Sequence, residues 1–414
     1  MLDLLIKAVD RAAGIAGITP SGLVAEKLIA HAERSTGRQL RGRNVEDALA
    51  RLVRAYEEEA NLSVFGAVAA RWDILRCLIN LIRFEKEEAE NPHILQGTIE
   101  KPIFVTGLPR SGTTFLHSLA ASDPANRAPL CWQTICPYPP LRAPKGGDKR
   151  RTRVAGQLRT FERLTPGIGQ LHPLSADAPQ ECTDITAQIF QSLRFDTTHH
   201  IPSYQSWLEA HGHVEAYRFH KRFLQHLQCQ SGAGQWFLKC PDHVFAFDAI
   251  DAVYPDARFV FVHRDPMAVL PSVAKLTALL RKPFTRALDR LQIGRQVTER
   301  WAHGSRLIVE RCRHWEGARE RVFHVHYEEL TAKPLDVMAA LYDRFGLRWS
   351  DAAHAGMRDF LGRMPRGGYG NNHYSFEEFG LERTELQQQF ADYVETFGVA
   401  GRTVPYEGEA MGAA

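Results

Sequence analysis

Nowhere do the 414 residues run apolar and uncharged for the roughly 18 positions that a membrane-spanning helix requires, so no transmembrane segment is expected. The first residues offer no secretory leader, because Asp3, Lys7, Asp10 and Arg11 interrupt the apolar stretch such a leader needs. A cytoplasmic chain is the expectation, with peripheral membrane contact left open. Cysteine is sparse and scattered: Cys77, Cys131, Cys136, Cys182, Cys229, Cys240 and Cys312 are odd in number and form no CxxC pair, which argues against a disulfide frame or a zinc site. Charge of one sign is also missing. A formal +3 over this length gives no electrostatic reason to expect nucleic acid. What is present, 44% hydrophobic and 24% charged residues, suits a globular chain with a large core.

The first hundred residues carry a helical period. After Asn44 as a capping residue, Val45, Leu49, Leu52, Val53 and Tyr56 share one helical face, and Val68, Trp72, Leu75, Ile79 and Ile82 repeat the spacing up to the polar stretch from Glu85 to Pro92. The pattern then changes to short apolar runs: Ile103-Phe104-Val105, Trp236-Phe237-Leu238, Phe259-Val260-Phe261-Val262 and Val322-Phe323-His324-Val325. Each precedes a helix-like segment, which predicts an α/β fold around a buried parallel sheet, with the N-terminal helices as an extension. The Pro- and Arg/Lys-rich stretch from Pro129 to Arg153, including Lys149-Arg150-Arg151, reads as a loop.

Between the first apolar run and a helix lies Gly107-Leu108-Pro109-Arg110-Ser111-Gly112-Thr113-Thr114. A glycine turn feeding a helix N-terminus presents backbone N–H groups to an anion. The glycine spacing is that of a P-loop, yet Thr113-Thr114 stands where a nucleoside-triphosphate site has Lys-Ser/Thr. The lysine that grips terminal phosphates and the hydroxyl coupled to Mg²⁺ are thus replaced, and fixed charge comes from Arg110 inside the loop. That chemistry suits a terminal sulfuryl group handled without a metal. A second anion site follows the third apolar run, where Arg264 ends the strand in His263-Arg264-Asp265-Pro266 and Ser272 lies about two turns into the next helix.

These two sites in this order, with Leu238-Lys239-Cys240-Pro241-Asp242-His243 between them, resemble the P-loop sulfotransferases, most closely the bacterial family carrying GxPRSGTT, LKxPxH and HRDPxxVxxS. Further matches are His172-Pro173-Leu174, Pro179-Gln180-Glu181-Cys182, Ile201-Pro202-Ser203-Tyr204 with Trp207-Leu208, Tyr327-Glu328-Glu329-Leu330, and Tyr374-Ser375 leading to Phe379-Gly380-Leu381. The resemblance implies a helical layer over residues 1–98 packed on a P-loop sulfotransferase domain over 99–414. It implies transfer of a sulfuryl group from 3′-phosphoadenosine-5′-phosphosulfate to a hydroxyl of a small-molecule or lipid-like acceptor, without metal. Carried over, Arg110, Ser111, Gly112, Thr113 and Thr114 would hold the 5′-phosphosulfate, and Arg264 with Ser272 the 3′-phosphate. Arg363, Arg366, Gly367 and Gly368 are similar to a late basic-glycine loop that covers that phosphate.

The base that removes the acceptor's proton is where the chain departs from its apparent relatives. Some place a glutamate after the P-loop helix in a Trp-Glu pair; here the pair is Trp132-Gln133, and glutamine takes no proton near neutral pH. His243, just past a strand end, is the first candidate, with Lys239 steadying the leaving oxygen; Glu181 is the second. His199-His200 and His211-Gly212-His213 lack partners at metal-ligand spacing. Tyr204 and Trp207 are expected to line an apolar acceptor site. Two other classes compete: a P-loop kinase or NTPase, disfavoured by the missing lysine, and a non-catalytic protein binding adenosine 3′,5′-bisphosphate, which would need no base.

Overall fold

In this computed structural model, residues 22–138, 149–166, 168, 175–315, 319–364 and 375–401 are described. Five parallel strands form one sheet in the order β2-β3-β1-β4-β5: β1 is Ile103–Thr106, β2 Asn126–Arg127, β3 Gln235–Lys239, β4 Arg258–His263 and β5 Val322–His326. The four apolar runs are the four longer strands. The two-residue β2 carries no period of its own and was invisible in the sequence.

The three inner strands, β3, β1 and β4, are apolar on both faces because the sheet is covered on both there. Phe104, Leu238, Phe259 and Phe261 point into one large core; Ile103, Val105, Phe237, Val260, Val262 and Val325 point into a second. Alternation along a strand thus sends successive apolar side chains to opposite sides, as a doubly covered parallel sheet demands.

Helices α1 (Ala25–Thr36), α2 (Arg43–Glu58) and α3 (Val64–Glu90) share the larger core with the strands: Leu28, Leu49, Leu52, Tyr56, Leu78 and Phe84 join Phe104 and Phe259 there. Two expectations are corrected. Helix α2 starts at Arg43 behind Gly42, leaving Asn44 inside the first turn. Helix α3 runs through the polar stretch to Glu90, and Val68 and Trp72 are exposed, 62% and 44%. Its buried face runs through Gly66, Ala70, Ile74, Cys77, Leu78, Leu81, Ile82 and Phe84, so Val68 and Trp72 fall on the side of the helix turned away from the core. Ser63 caps α3 by accepting from the Gly66 N–H at 2.8 Å, and a Cβ on Gly66 would stand 2.0 Å from the Phe284 carbonyl oxygen, so α3 is pressed against the α/β unit at its start.

The basic triplet read as loop opens a helix instead. Over Lys149–Leu164, Arg150 turns inward, donates to the Pro137 carbonyl at 2.5 Å and lies 4.8 Å from the Trp132 ring centre. A guanidinium that finds carbonyls and an aromatic face can be buried where a lone charge cannot.

Candidate active site

The loop after β1 is shaped by close backbone approach. Gly107 has φ 140°, and a Cβ there would lie 2.4 Å from the Val262 carbonyl oxygen, so only glycine lets the loop cross the end of β4. Gly112, at φ 95°, caps α4 (Thr113–Ala120), and its Cβ would meet the Tyr327 ring at 2.9 Å. Between them Arg110 takes φ 62°, a left-handed conformation that a non-glycine residue holds only when its surroundings fix it. The turn and the start of α4 bring their amides to one place. Ser111 is buried with a hydroxyl that has no hydrogen-bond partner among the described residues, Thr113 is buried, and Thr114 is exposed. An orphaned hydroxyl at a turn of amides fits an anionic group.

Arg264, leaving β4, donates through Nη1 to the Arg110 carbonyl at 2.8 Å and stacks 3.9 Å from the Tyr327 ring centre. Asp265 caps α5 (Pro266–Arg281) by accepting from the Met267 N–H at 2.8 Å, which sets Ser272 on the turn facing the loop. Arg110 Nε donates to Ser272 Oγ at 3.0 Å. Arg110, Arg264 and Ser272 therefore form one contiguous basic edge; the Arg110 guanidinium points to the side expected for the 3′-phosphate. Tyr327, noted in the sequence only as part of a matching motif, buttresses both Gly112 and Arg264.

On the other side of β1, Val105 pairs in register with Lys239 at the end of β3. The Lys239 side chain is 1% exposed, and its ammonium donates to Glu181 at 2.5 Å and to Thr114 Oγ1 at 3.1 Å. Glu181 reaches it because residues 181–182 run beside the strand end: the Cys182 N–H donates to the Lys239 carbonyl at 3.0 Å. A buried ammonium needs such partners, and here they tie the P-loop helix to a carboxylate that is still 30% exposed. Thr106 Oγ1 closes the turn by donating to the Cys240 carbonyl at 2.9 Å.

His243 sits one turn further, 1% exposed on the short helix Pro241–Phe245, with Nδ1 2.5 Å from the Tyr217 hydroxyl. Burial first, then the neighbouring His220, holds its pKa well below the ordinary histidine value, so it is neutral. Its Nε2 has no hydrogen-bond partner among the described residues. Beside it, burial pushes the Asp242 carboxyl up to about 7. His117, behind the loop, bonds to the Phe237 carbonyl at 3.0 Å and is pushed down to about 3 by burial, then by Lys239.

Other candidates are spent elsewhere. Gln133 Oε1 accepts from the Leu130 N–H at 2.9 Å, capping the short helix Cys131–Ile135. Tyr204, expected to line the acceptor site, is a core residue: its hydroxyl donates to the Phe190 carbonyl at 2.8 Å and accepts from the Ser192 N–H at 3.1 Å. Trp207 packs partly buried against the same core. No three His, Cys, Asp or Glu side chains gather at metal-binding distance among the described residues, and no described helix is long and apolar enough to cross a membrane. Arg366, Gly367 and Gly368 lie outside the described residues, as do His172-Pro173-Leu174 and Tyr374; Arg363 is at an exposed helix end, paired with Asp359 at 2.8 Å.

Comparison with known proteins gives the family and the fold. Residues 102–351, more than half of the chain, match the model of the sulfotransferase family. The omega-hydroxy-beta-dihydromenaquinone-9 sulfotransferase Stf3 of Mycobacterium tuberculosis is 23% identical over 316 residues, 72% of this chain and 75% of that protein. Among solved structures, sulfotransferase STF9 of Mycobacterium avium superimposes with a TM-score of 0.81 at 28% identity, covering 92% of this chain and 98% of its own. Sulfotransferase STF1 of Mycobacterium tuberculosis gives 0.77 at 28% identity, covering 89% and 98%. With the match spanning the glycine loop after β1 and the basic edge after β4, the chain belongs to the sulfotransferase family and is a sulfotransferase.

Proposed function

We propose that the chain transfers a sulfuryl group from 3′-phosphoadenosine-5′-phosphosulfate to a hydroxyl of a lipid-like acceptor, with Glu181 as the base and Lys239 as the cation at the reacting group. The donor supplies the sulfuryl, whose bond to the bridging phosphate oxygen breaks as the acceptor O–S bond forms, leaving adenosine 3′,5′-bisphosphate. Arg110 through Thr114 hold the phosphosulfate; Arg264 and Ser272, with Arg366 and Gly367 of the late loop, hold the 3′-phosphate. The observation that carries this reading is Lys239, whose ammonium touches Thr114 of the phosphate loop and Glu181 together. A cation fixed there balances charge developing on the leaving oxygen, and the adjacent carboxylate takes the acceptor's proton. Partial exposure of Glu181 supports it over His243, whose ring is buried and engaged by Tyr217. The lipid-like acceptor is supported by the menaquinone-type substrate in the name of the Stf3 relative. Incubating the protein with isotopically labelled donor and a lipid extract, then identifying sulfated species by mass spectrometry, tests the reading. A labelled lipid formed by wild type and lost in Glu181→Gln is expected; labelling confined to water-soluble metabolites would overturn the acceptor class.

A further inference from the structure

Away from the reacting centre, the N-terminal layer carries an open groove of about 380 Å³ between α1 and α3, and its lining is mostly cationic. Lys27, His31 and Arg34 stand on α1 at i, i+4 and i+7, along one helical face, and Arg71 lines the same groove from α3. Glu26 is the one acidic side chain on the lining, and all five are exposed. Lys27, Arg34 and Arg71 hold no carboxylate among the described residues, whereas Arg38, Arg51, Arg54 and Arg76 on the same layer each pair with one. Cations gathered without counter-charge attract an anion from outside.

Apolar surface adjoins this groove. Val68, Arg71 and Trp72 share the outward face of α3 at i, i+3 and i+4. Of the large apolar side chains exposed among the described residues, only Val68 and Trp72 stand one turn apart on one helix. An indole and an aliphatic side chain beside lysine and arginine suit a lipid–water interface, where the ring sits at headgroup depth and the cations meet phosphates. The face is also tied to the acceptor half of the molecule. Asp73, next to Trp72, pairs with Arg194, whose Nε lies 3.4 Å from Asp184, and the Asp184 N–H donates to the Glu181 carbonyl at 3.2 Å.

We propose that the α1–α3 face docks the protein on an anionic bilayer, with lipid phosphates taken by Lys27, Arg34 and Arg71 and with Val68 and Trp72 inserted at headgroup level. The chain then lies on the membrane and does not span it. Two things choose a bilayer over a soluble acidic protein. One is the apolar pair beside the cations; the other is the lipid-like acceptor, the point at which this inference rests on the functional reading above. Docking places the protein where an amphiphilic alcohol is concentrated, with Glu181 and its segment linked to the docked face.

Flotation with vesicles of phosphatidylcholine, alone or mixed with phosphatidylglycerol, tests this without donor or acceptor. At low salt wild type should partition onto the anionic vesicles roughly 10²-fold more strongly than onto neutral ones, ~5-fold for each of the three cations, and lose the preference at high salt. Lys27→Gln/Arg34→Gln/Arg71→Gln should lose most of that preference, and Trp72→Ala should weaken binding to anionic vesicles by at least ~5-fold. Both should bind adenosine 3′,5′-bisphosphate normally, which checks the fold. Arg218→Gln/Arg290→Gln/Arg313→Gln removes the same charge from exposed positions off this face and should keep the preference. An equal loss in that control would mean that net charge alone acts, and would overturn the proposal. So would a wild type that ignores anionic vesicles, or a groove variant that binds them as wild type does. If the groove variant does not bind the bisphosphate, Arg34→Gln and Arg71→Gln decide singly: an unchanged preference in both would overturn the proposal. Vesicle binding as expected, with extract lipids left unlabelled, would support docking and count against the acceptor reading alone. Sulfation of extract lipids without vesicle binding would overturn docking alone.

Discussion

Arg264 supports Arg110: its Nη1 donates at 2.8 Å to the carbonyl of a residue held at φ 62°. The second basic residue thus stabilises the backbone shape of the glycine loop as well as adding charge. Arg264→Ala should weaken binding of adenosine 3′,5′-bisphosphate by at least ~1.5 kcal/mol, as should Arg110→Ala. The double variant should lose less than the sum, because each single change already disturbs the other's geometry. Calorimetry on the three variants decides; strict additivity would mean that the two arginines act independently.

Glu181→Gln should lower kcat by roughly 10²–10⁴-fold with donor affinity nearly intact, because the change removes a proton acceptor and keeps the shape. His243→Ala, with its ring buried and bonded to Tyr217, should leave kcat closer to wild type than Glu181→Gln does. A His243→Ala variant that loses kcat while Glu181→Gln keeps it would return the base to the histidine.

Turnover should persist in EDTA, since Thr113-Thr114 replaces the pair that couples a P-loop to Mg²⁺ and Lys239 supplies a cation at Thr114. Activity abolished by chelation and restored by Mg²⁺ or Zn²⁺ would contradict the proposed mechanism.

Stability should fall in mild acid. Burial pushes His117 and His220 down to about 3 and His199 to about 4, whereas the unfolded chain takes up these protons near pH 6.5. Between about pH 4 and 6.5 the unfolded state binds more protons, so ΔG of unfolding drops as pH falls through that window and is level in these groups above it. Each imidazole contributes a slope of up to about 1.4 kcal/mol per pH unit. Asp242, raised to about 7, works in the opposite direction, one group against three. Urea titrations at pH 7.5, 6 and 5 should show the decline; equal stability at all three would rule out neutral burial of these rings.

Gly107→Ala should destabilise by at least ~2 kcal/mol and impair donor binding, because a Cβ would stand 2.4 Å from the Val262 carbonyl oxygen at a φ of 140°. Denaturant unfolding and calorimetry read the two effects. An alanine variant of normal stability would show that the loop relaxes away from β4.

The parts of the site legible in the sequence are those in which a local string dictates its own backbone. Gly107 to Thr114 must turn and enter a helix wherever it sits, and the four apolar strands announce a doubly covered sheet. Contacts made across the sheet are different. Glu181 and Lys239 are 58 residues apart, and only the pairing of residues 181–182 with the end of β3 joins them, so a glutamate that looked secondary proves central to the geometry. His243 looked better placed because position after a strand can be read from sequence, whereas burial and the Tyr217 contact cannot. The stripe on α3 failed for a related reason: Val68 and Trp72 keep the helical period, but the stripe that packs is offset from them and runs through Gly66, Ala70 and Ile74. Gln133 seemed a substituted base; its local role as a cap was present in the spacing to Leu130 but is common to many polar residues.

The strand order has a consequence for how such chains diversify. The proposed donor grip hangs from β1 and β4, whereas Lys239 ends β3 and Asp242 and His243 follow it, on the opposite flank of β1. On that flank Thr183 and His213 are only half-buried and can vary without touching Arg110 or Arg264, whereas Ile185, Ala187 and Phe190 beside them are core. Under the proposed donor grip, one half of the cleft can drift toward new alcohols while the other keeps its co-substrate, so point changes at Thr183 and His213 are a rational route to altered acceptor choice.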